Sequence, residues 1–371
     1  MRIAVHAKVL SEDQPTGIGI YTRNILRALV HIDSVNEYVL YSNQPIRQHI
    51  EAPNVREKIL KFPKLWSYLR LPFEFVGDRY DLLFVPKEQI PPVFRPPTVV
   101  VVYDLMGLMF PERIALPGKI HFHTAVRYAI PRADAVIAIS EETKRSVMRE
   151  CNVPAERITV THLGYDETVF QPCRDAARLA DVRRRYGISR AYFVNTSSVI
   201  WYRKNLVRVL QALAALKARV GTAAPQLVVT GKRGEAYEEV LQWRSRLGLE
   251  EDVVFTGYVA AEDIPVLLSG ALALVFPSLD EGFGLPLVEA MACGCPVVSS
   301  AVSAIPEVVG EAGLLVDPWS ETAIGDAMHR IVAESGLAAV LRARGFAQVR
   351  QFSWERAARQ TLAVFERTAR R

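Results

Sequence analysis

The segment FPSLDEGFGLPLVEAMACGC, residues 276 to 295, gathers residue types suited to holding an anionic ligand. Glu281 precedes, and Glu289 follows, a loop in which Gly282 and Gly284 let the backbone approach a ligand closely. Pro286 suits the first position of a helix that Leu287 to Cys293 continue, and Gly294 suits its end. The free N–H groups and the positive end of the dipole at such a start favour an anion. Two carboxylates so placed reach different parts of one bound molecule, one meeting a sugar and the other a ribose diol. The plain alternative is that Glu281 complements the helix dipole and Glu289 is a solvated helix residue.

Arg203-Lys204-Asn205 forms a second group, after a strand at 192 to 195. Asn205 is expected to cap a helix whose apolar face is Leu206, Val209, Leu210, Leu213 and Leu216. Two cations beside a helix N-terminus oppose its dipole at about 0.3–1 kcal/mol each. A bound phosphate reverses that sign; otherwise both are solvated basic residues. Gly17 and Gly19, in Pro15-Thr16-Gly17-Ile18-Gly19, lie between a strand and a helix, where a lone G-x-G mostly marks a tight turn. Asp104 ends a valine strand, where a carboxylate faces a strand-end crevice or caps the following turn. His121 and His123 sit two apart in a helical segment, so they point to different faces and no metal site is expected. The aromatic stretch 62 to 75, with Lys64 and Arg70, reads as core plus a solvated edge rather than a membrane anchor.

The elements that position these residues are short apolar runs, most followed by a helical pattern. Strands are predicted at 2–7, 81–85, 98–103, 135–139 and 158–162, and the valines of 99–102 indicate one buried on both faces. A polar, basic stretch after Pro172 marks a linker at about 172–190. A second series follows at 192–195, 227–230, 253–255, 273–276, 296–299 and 313–316. The fold class is therefore α/β, two Rossmann-like, doubly wound domains over 1–175 and 185–350. Two such domains facing each other leave a cleft lined by strand-end loops.

Composition narrows the function. The chain has 371 residues, 50% hydrophobic and 23% charged, enough for two cores. Its 45 Lys+Arg against 40 Asp+Glu give +5, too mild a balance to indicate nucleic acid. No signal peptide and no apolar run of membrane-spanning length is read. Cys151, Cys173, Cys293 and Cys295 make no disulfide framework, and the last two are too close for zinc spacing. A reducing cytoplasm is the expected location.

Taken together, TGIGIYT (16–22), VVVVYDLMGLMFPE (99–112), AVIAISEETKRSV (135–147), RKN (203–205), FTGYV (255–259), FPSLDEGFGLPLVEAMACGCPVV (276–298) and IPEVVGEAGLLVDP (305–318) resemble the retaining nucleotide-sugar glycosyltransferases of the GT-B fold. The resemblance is to glycosyltransferase family 4 and its bacterial mannosyltransferase-like branch, over nearly the whole chain. It implies that Glu281 holds the donor sugar near the reacting carbon and that Glu289 binds the ribose. Arg203 and Lys204 match the family's basic pair on the diphosphate. Gly282, Phe283, Gly284 and Leu285 lay their backbone against sugar and phosphate, Tyr258 lies where the base is read, and Gly17 and Gly19 close on the phosphates. The C-terminal helix, 351–371, is implied to cross back to the first domain. No metal or other cofactor is implied beyond a GDP- or UDP-linked sugar. Tyr103-Asp104 stands where many members have His-Asp, Ile20 where relatives often have arginine, and 195–198 replaces a glycine-containing turn.

The reading is a hexosyltransferase acting by front-face attack, with Glu281 and Asp104 as the catalytic candidates. GDP-mannose is the first choice of donor and UDP-hexose the second. The acceptor is a glycan or lipid-linked saccharide of bacterial surface polysaccharide. The six arginines of 350–371, against Glu355 and Glu366, add an expectation of salt-sensitive contact with an anionic membrane face. A sugar-nucleotide epimerase or a phosphorylase of the same fold, and a non-catalytic binder, are the rivals. A dinucleotide oxidoreductase is disfavoured, because Gly17-Ile18-Gly19 lacks its third glycine, with Thr22 in its place.

Overall fold

The computed structural model describes residues 1–13, 17–62, 65–87, 90–91, 93, 95–109, 116–197 and 199–370. Pro15, Thr16, Lys64, Ser198, Arg371 and residues 110–112 of the segments singled out above lie outside the described residues. The chain divides into two compact units, Met1–Gly164 with Ser353–Arg371, and Tyr165–Phe352.

Among the described residues, unit 1 carries β1 (Arg2–His6), β2 (Glu37–Ser42), β3 (Val55–Ile59), β4 (Leu82–Val85), β5 (Thr98–Val102), β6 (Ala135–Ala138) and β7 (Ile158–Val160). They pair in parallel in the order β3-β2-β1-β4-β5-β6-β7. Val99 to Val102 are fully buried, as a strand covered by helices on both faces must be. One cover is the terminal helix Trp354–Ala369, whose Phe365 meets Phe84 of β4 edge-on at 5.0 Å. Burial of a side chain of that size contributes about 1.5–3 kcal/mol. Gly164 lies under the start of this helix, where an added Cβ would sit 2.2 Å from the Trp354 nitrogen.

Unit 2 carries β8 (Tyr192–Asn195), β9 (Gln226–Thr230), β10 (Val253–Gly257), β11 (Leu274–Phe276), β12 (Val297–Ser300) and β13 (Gly313–Val316). Their order is β10-β9-β8-β11-β12-β13, again parallel. Phe193, Val229, Val275 and Val298 line one face of the sheet. Against them pack Leu206, Val209, Leu210, Leu213 and Leu216 of helix Leu206–Val220, the expected apolar face. Helix Glu321–Ala333 adds Ile324 and Met328 to the same core.

Two readings change. The polar stretch after Pro172 contains a helix, Ala176–Arg185, started by Asp175, whose Oδ1 accepts from the Ala177 and Arg178 N–H groups. It buries only Val182, which is why its sequence passes for a linker. β2 and β3 were not predicted. β2 opens on glutamate and mixes tyrosines into its run, and β3 (VREKI) is a largely exposed edge strand. Among the described residues no helix is long and apolar enough to cross a membrane.

Candidate functional site

In each sheet the strand order reverses between the first and fourth strands of the unit, and open α/β sheets bind ligands at that point. In unit 2 the reversal falls between β8 and β11, which pair at Val194 and Leu274. The segments that leave these two strands carry Arg203, Lys204 and Glu281. Lys204 Nζ donates to Glu281 Oε1 at 2.6 Å, and Arg203 Nη1 lies 2.5 Å from Glu281 Oε2. Arg203 also donates to the Asp280 carbonyl at 3.0 Å. Lys204 and Glu281 retain only 7% and 6% exposure, so Lys204 is not the solvated residue of the plain alternative. The ammonium sits 4.5 Å over the Phe276 ring. Burial alone would raise the Glu281 pKa; Lys204 and then Arg203 overcome it and hold the carboxyl down to about 2.

Backbone and side chains brace this arrangement. The Leu279 N–H donates to the Arg203 carbonyl at 2.8 Å, tying one loop to the other. The Ser303 hydroxyl accepts from the Glu281 N–H at 3.2 Å and lies 2.6 Å from Asp280 Oδ1 and 2.7 Å from the Glu281 carbonyl oxygen. Asn205 stands where a helix cap was expected, but its backbone is left-handed (φ 59°) and its side chain makes no cap bond. Instead Nδ2 donates to the carbonyls of Pro277 and Pro318 at 3.0 and 2.7 Å, so Asn205 fastens the loop after β8 to that after β11.

Gly284, at φ 97°, starts helix Leu285–Ala292, with Pro286 in its first turn. An added Cβ there would lie 2.8 Å from Leu287 Cδ1, so glycine is required on both counts. Phe283 is buried and packs edge-on against Phe352 at 5.4 Å. Glu289 keeps a partly exposed edge, yet its carboxyl is crowded enough that burial pushes its pKa up to about 7. Tyr258, just past β10, is 67% exposed, and Lys232 Nζ stands 5.9 Å from its ring centre.

The remaining predicted residues belong to unit 1. Gly17 and Gly19 are in the first turn of helix Gly17–Ile32, with no left-handed backbone at Gly17 or Gly19. Asp104 follows β5 by two residues and is half-buried, beside Tyr103, whose hydroxyl donates to the Pro86 carbonyl at 2.7 Å. His123 is exposed on helix Leu116–Thr124, and among the described residues no three His, Cys, Asp or Glu group as metal ligands. Sequence reasoning missed Ser303, Phe276 and Lys232. Only Ser303 carries a visible signal, a small polar residue shortly before the helix Ile305–Val309.

Two Rossmann-like units, the second with a basic pair and two glutamates about its switch point, fit the GT-B fold. The family descriptions "Glycosyltransferase Family 4" and "Glycosyl transferases group 1" match residues 15–169 and 190–334. The chain thus carries a Glycosyltransferase Family 4 domain followed by a Glycosyl transferases group 1 domain. It is 28% identical to O-antigen chain mannosyltransferase B of Escherichia coli over 95% of this chain and 96% of that protein. It is also 28% identical to the serotype-specific mannosyltransferase WbdA of Escherichia coli, over 80% of this chain but only 36% of WbdA. Among solved structures it resembles HepE of Anabaena, in complex with UDP-glucose, with a TM-score of 0.77, 20% identity and coverage of 99% and 100% of the two chains.

Proposed function

We propose that the protein transfers mannose from GDP-mannose, with retention of configuration, to a glycan or lipid-linked acceptor in bacterial surface polysaccharide synthesis. The observation that carries this reading is the triad of partly exposed Arg203 with buried Lys204 and Glu281 at the second switch point, with Glu289 in the helix that follows. The likeness to O-antigen mannosyltransferases favours mannose and a polysaccharide acceptor. Arg203 and Lys204 take the diphosphate, Glu289 the ribose diol, the backbone of 282–285 the sugar and phosphate, and Tyr258 the base.

In the reaction the bond from the sugar's anomeric carbon to the phosphate oxygen breaks. A bond to the acceptor oxygen forms on the same face, and the acceptor's proton passes to the departing phosphate oxygen. Negative charge grows on the diphosphate as positive charge grows on the sugar. Arg203, Lys204 and the start of helix Leu285–Ala292 stabilise the former, and the Glu281 carboxylate the latter. Asp104 is the unit 1 candidate for acting on the acceptor. No metal or other cofactor enters this scheme.

A thermal-shift panel of GDP, UDP, ADP and their sugars tests the donor. A ligand at 100 times its dissociation constant stabilises by about 2.7 kcal/mol. The largest shift is expected with the guanine ligands. A larger shift with uridine ligands replaces GDP-mannose by a UDP-hexose, and the anomeric configuration of the product by NMR decides retention.

We also propose contact with an anionic membrane face, on an observation in unit 1. The stretch 62 to 75 buries Trp66 and Leu71, but Leu65, Leu69, Phe73 and Val76 are 59%, 54%, 64% and 64% exposed. Phe73 and Val76 lie three apart on helix Leu71–Gly77, Leu69 ends the short helix Trp66–Leu69 and Leu65 precedes it. Exposed Lys61 belongs to the same region, as does Arg70, which pairs with Glu74 at 2.5 Å. The C-terminal arginines contribute less than expected, since Arg359 bonds Glu355 and Arg367 bonds Thr159.

A further inference from the structure

We propose that Glu281 competes with the donor's diphosphate for Arg203 and Lys204, and so weakens the enzyme's hold on the released nucleoside diphosphate. The proposal rests on the reading of Arg203 and Lys204 as the diphosphate's cations. Both oxygens of one carboxylate are engaged, Oε1 by Lys204 at 2.6 Å and Oε2 by Arg203 at 2.5 Å. Both are close charge-assisted contacts of the kind the same donors make to a phosphate oxygen. The carboxylate is not a mobile surface group. Its residue is 6% exposed, and its backbone N–H and carbonyl are both held at Ser303, a non-glycine residue kept at φ 59°. A diphosphate arriving at the pair therefore has to share or displace an anion fixed in place, rather than meet two cations balanced only by water.

The consequence differs between donor and product. The diphosphate of a nucleotide sugar is esterified at both ends and carries two negative charges. Once the sugar has left, the terminal phosphate gains a second ionisation with a pKa near 6, so the product carries nearly three charges at neutral pH. The added charge appears on the phosphate that carried the sugar, the end of the molecule that the proposed function sets against Arg203, Lys204 and hence against Glu281, which touches both. Like charges at close range repel most strongly where burial excludes water. Glu281 thus penalises the product more than the donor, which shortens the time that the product blocks the site. A carboxylate in this place has a use that its contact with a sugar does not require.

The experiment is titration calorimetry at pH 7.5 with GDP, UDP, GDP-mannose and UDP-glucose on the wild type and Glu281→Gln. The diphosphate that the wild type binds is expected to bind Glu281→Gln about tenfold tighter or more, in the range of couplings measured for close charge pairs. Its sugar conjugate should change less. An unchanged or weaker affinity for the free diphosphate overturns the proposal, as does an equal gain for both ligands. Glu281→Gln leaves buried Lys204 and partly exposed Arg203 facing a neutral amide. Should that variant not fold, Glu281→Asp serves, because a side chain one methylene shorter cannot span both contacts. The same direction with a smaller gain is then expected, and no gain overturns the idea. Lys204→Met separates the two levels: if it leaves diphosphate affinity intact, the phosphate-site reading itself fails. If it weakens binding while Glu281→Gln gives no gain, only the competition is refuted.

Discussion

If Glu289 holds the donor's ribose, as proposed, donor binding must depend on pH in a way that can be worked out beforehand. Its carboxyl is pushed up to about 7 by burial alone, with no cation to offset it. Only the ionised form accepts hydrogen bonds from both hydroxyls of a ribose diol, so donor affinity follows the ionised fraction. With a pKa of about 7 that fraction is roughly 1/11 at pH 6 and 10/11 at pH 8, an expected tenfold gain in affinity across the interval. A nucleotide sugar is the right probe, because its doubly esterified diphosphate does not titrate there. Calorimetry in buffers of different ionisation enthalpy should show roughly half a proton released per donor bound at pH 7. Glu289→Gln should flatten the profile and lower affinity at pH 8 by about 1.5–3 kcal/mol, the contribution of a hydrogen bond to a charged group.

The sign for stability is opposite. Between the ordinary 4.5 and about 7 the folded state binds more protons at this site than the unfolded chain, so folding stability falls as pH rises through the window. The full effect is about 3 kcal/mol, and Glu289→Gln should recover it, melting above the wild type at pH 8. A flat wild-type affinity between pH 6 and 8, or the same slope in Glu289→Gln, would refute both the assignment and the burial argument.

Lys204→Ala should weaken GDP binding tenfold or more while leaving guanosine nearly unaffected, because only phosphate engages the ammonium; equal losses for both ligands remove Lys204 from the phosphate site. Gly284→Ala should lower the melting temperature by the equivalent of about 1–2 kcal/mol, since alanine is strained at φ 97°, and an unchanged transition would show that the loop relaxes freely. Asp104→Asn should cut turnover, with normal kinetics favouring a turn-capping role. Replacing Leu69 and Phe73 together by Glu should abolish sedimentation with anionic vesicles at low salt; undiminished pelleting, or pelleting as strong with neutral vesicles, would sink the membrane reading.

Much of unit 2 was legible in the sequence because each of its four central strands is a nearly continuous apolar run, as burial on both faces demands. Unit 1 was less so. β3 is a charged edge strand, and its charges hide it from any reading that looks for buried runs. The site residues were visible by type, as two glutamates around a glycine loop and a basic pair after a strand. Their mutual bonding was not, since Lys204 and Glu281 lie 77 residues apart. Asn205 shows the same limit, for local propensity places it as a cap, whereas two distant carbonyls claim its amide.

What brings the distant groups together is strand order rather than any local signal. β8 and β11 are neighbours in the sheet, but the chain beyond β8 leads to β9 on one side and the chain beyond β11 to β12 on the other. The segments after them therefore part at their far ends and meet at the sheet's edge, where Leu279 bonds the Arg203 carbonyl. The same geometry divides the labour of the two glutamates. Glu281 lies where the two segments meet, so the cations of one reach it from the other and keep it ionised. Glu289 lies in the helix beyond, past the reach of that pair, and burial acts on it without opposition. Two identical side chains in one short segment thus hold different charge near neutrality, a permanent anion beside Arg203 and Lys204 and a titrating one farther along the helix.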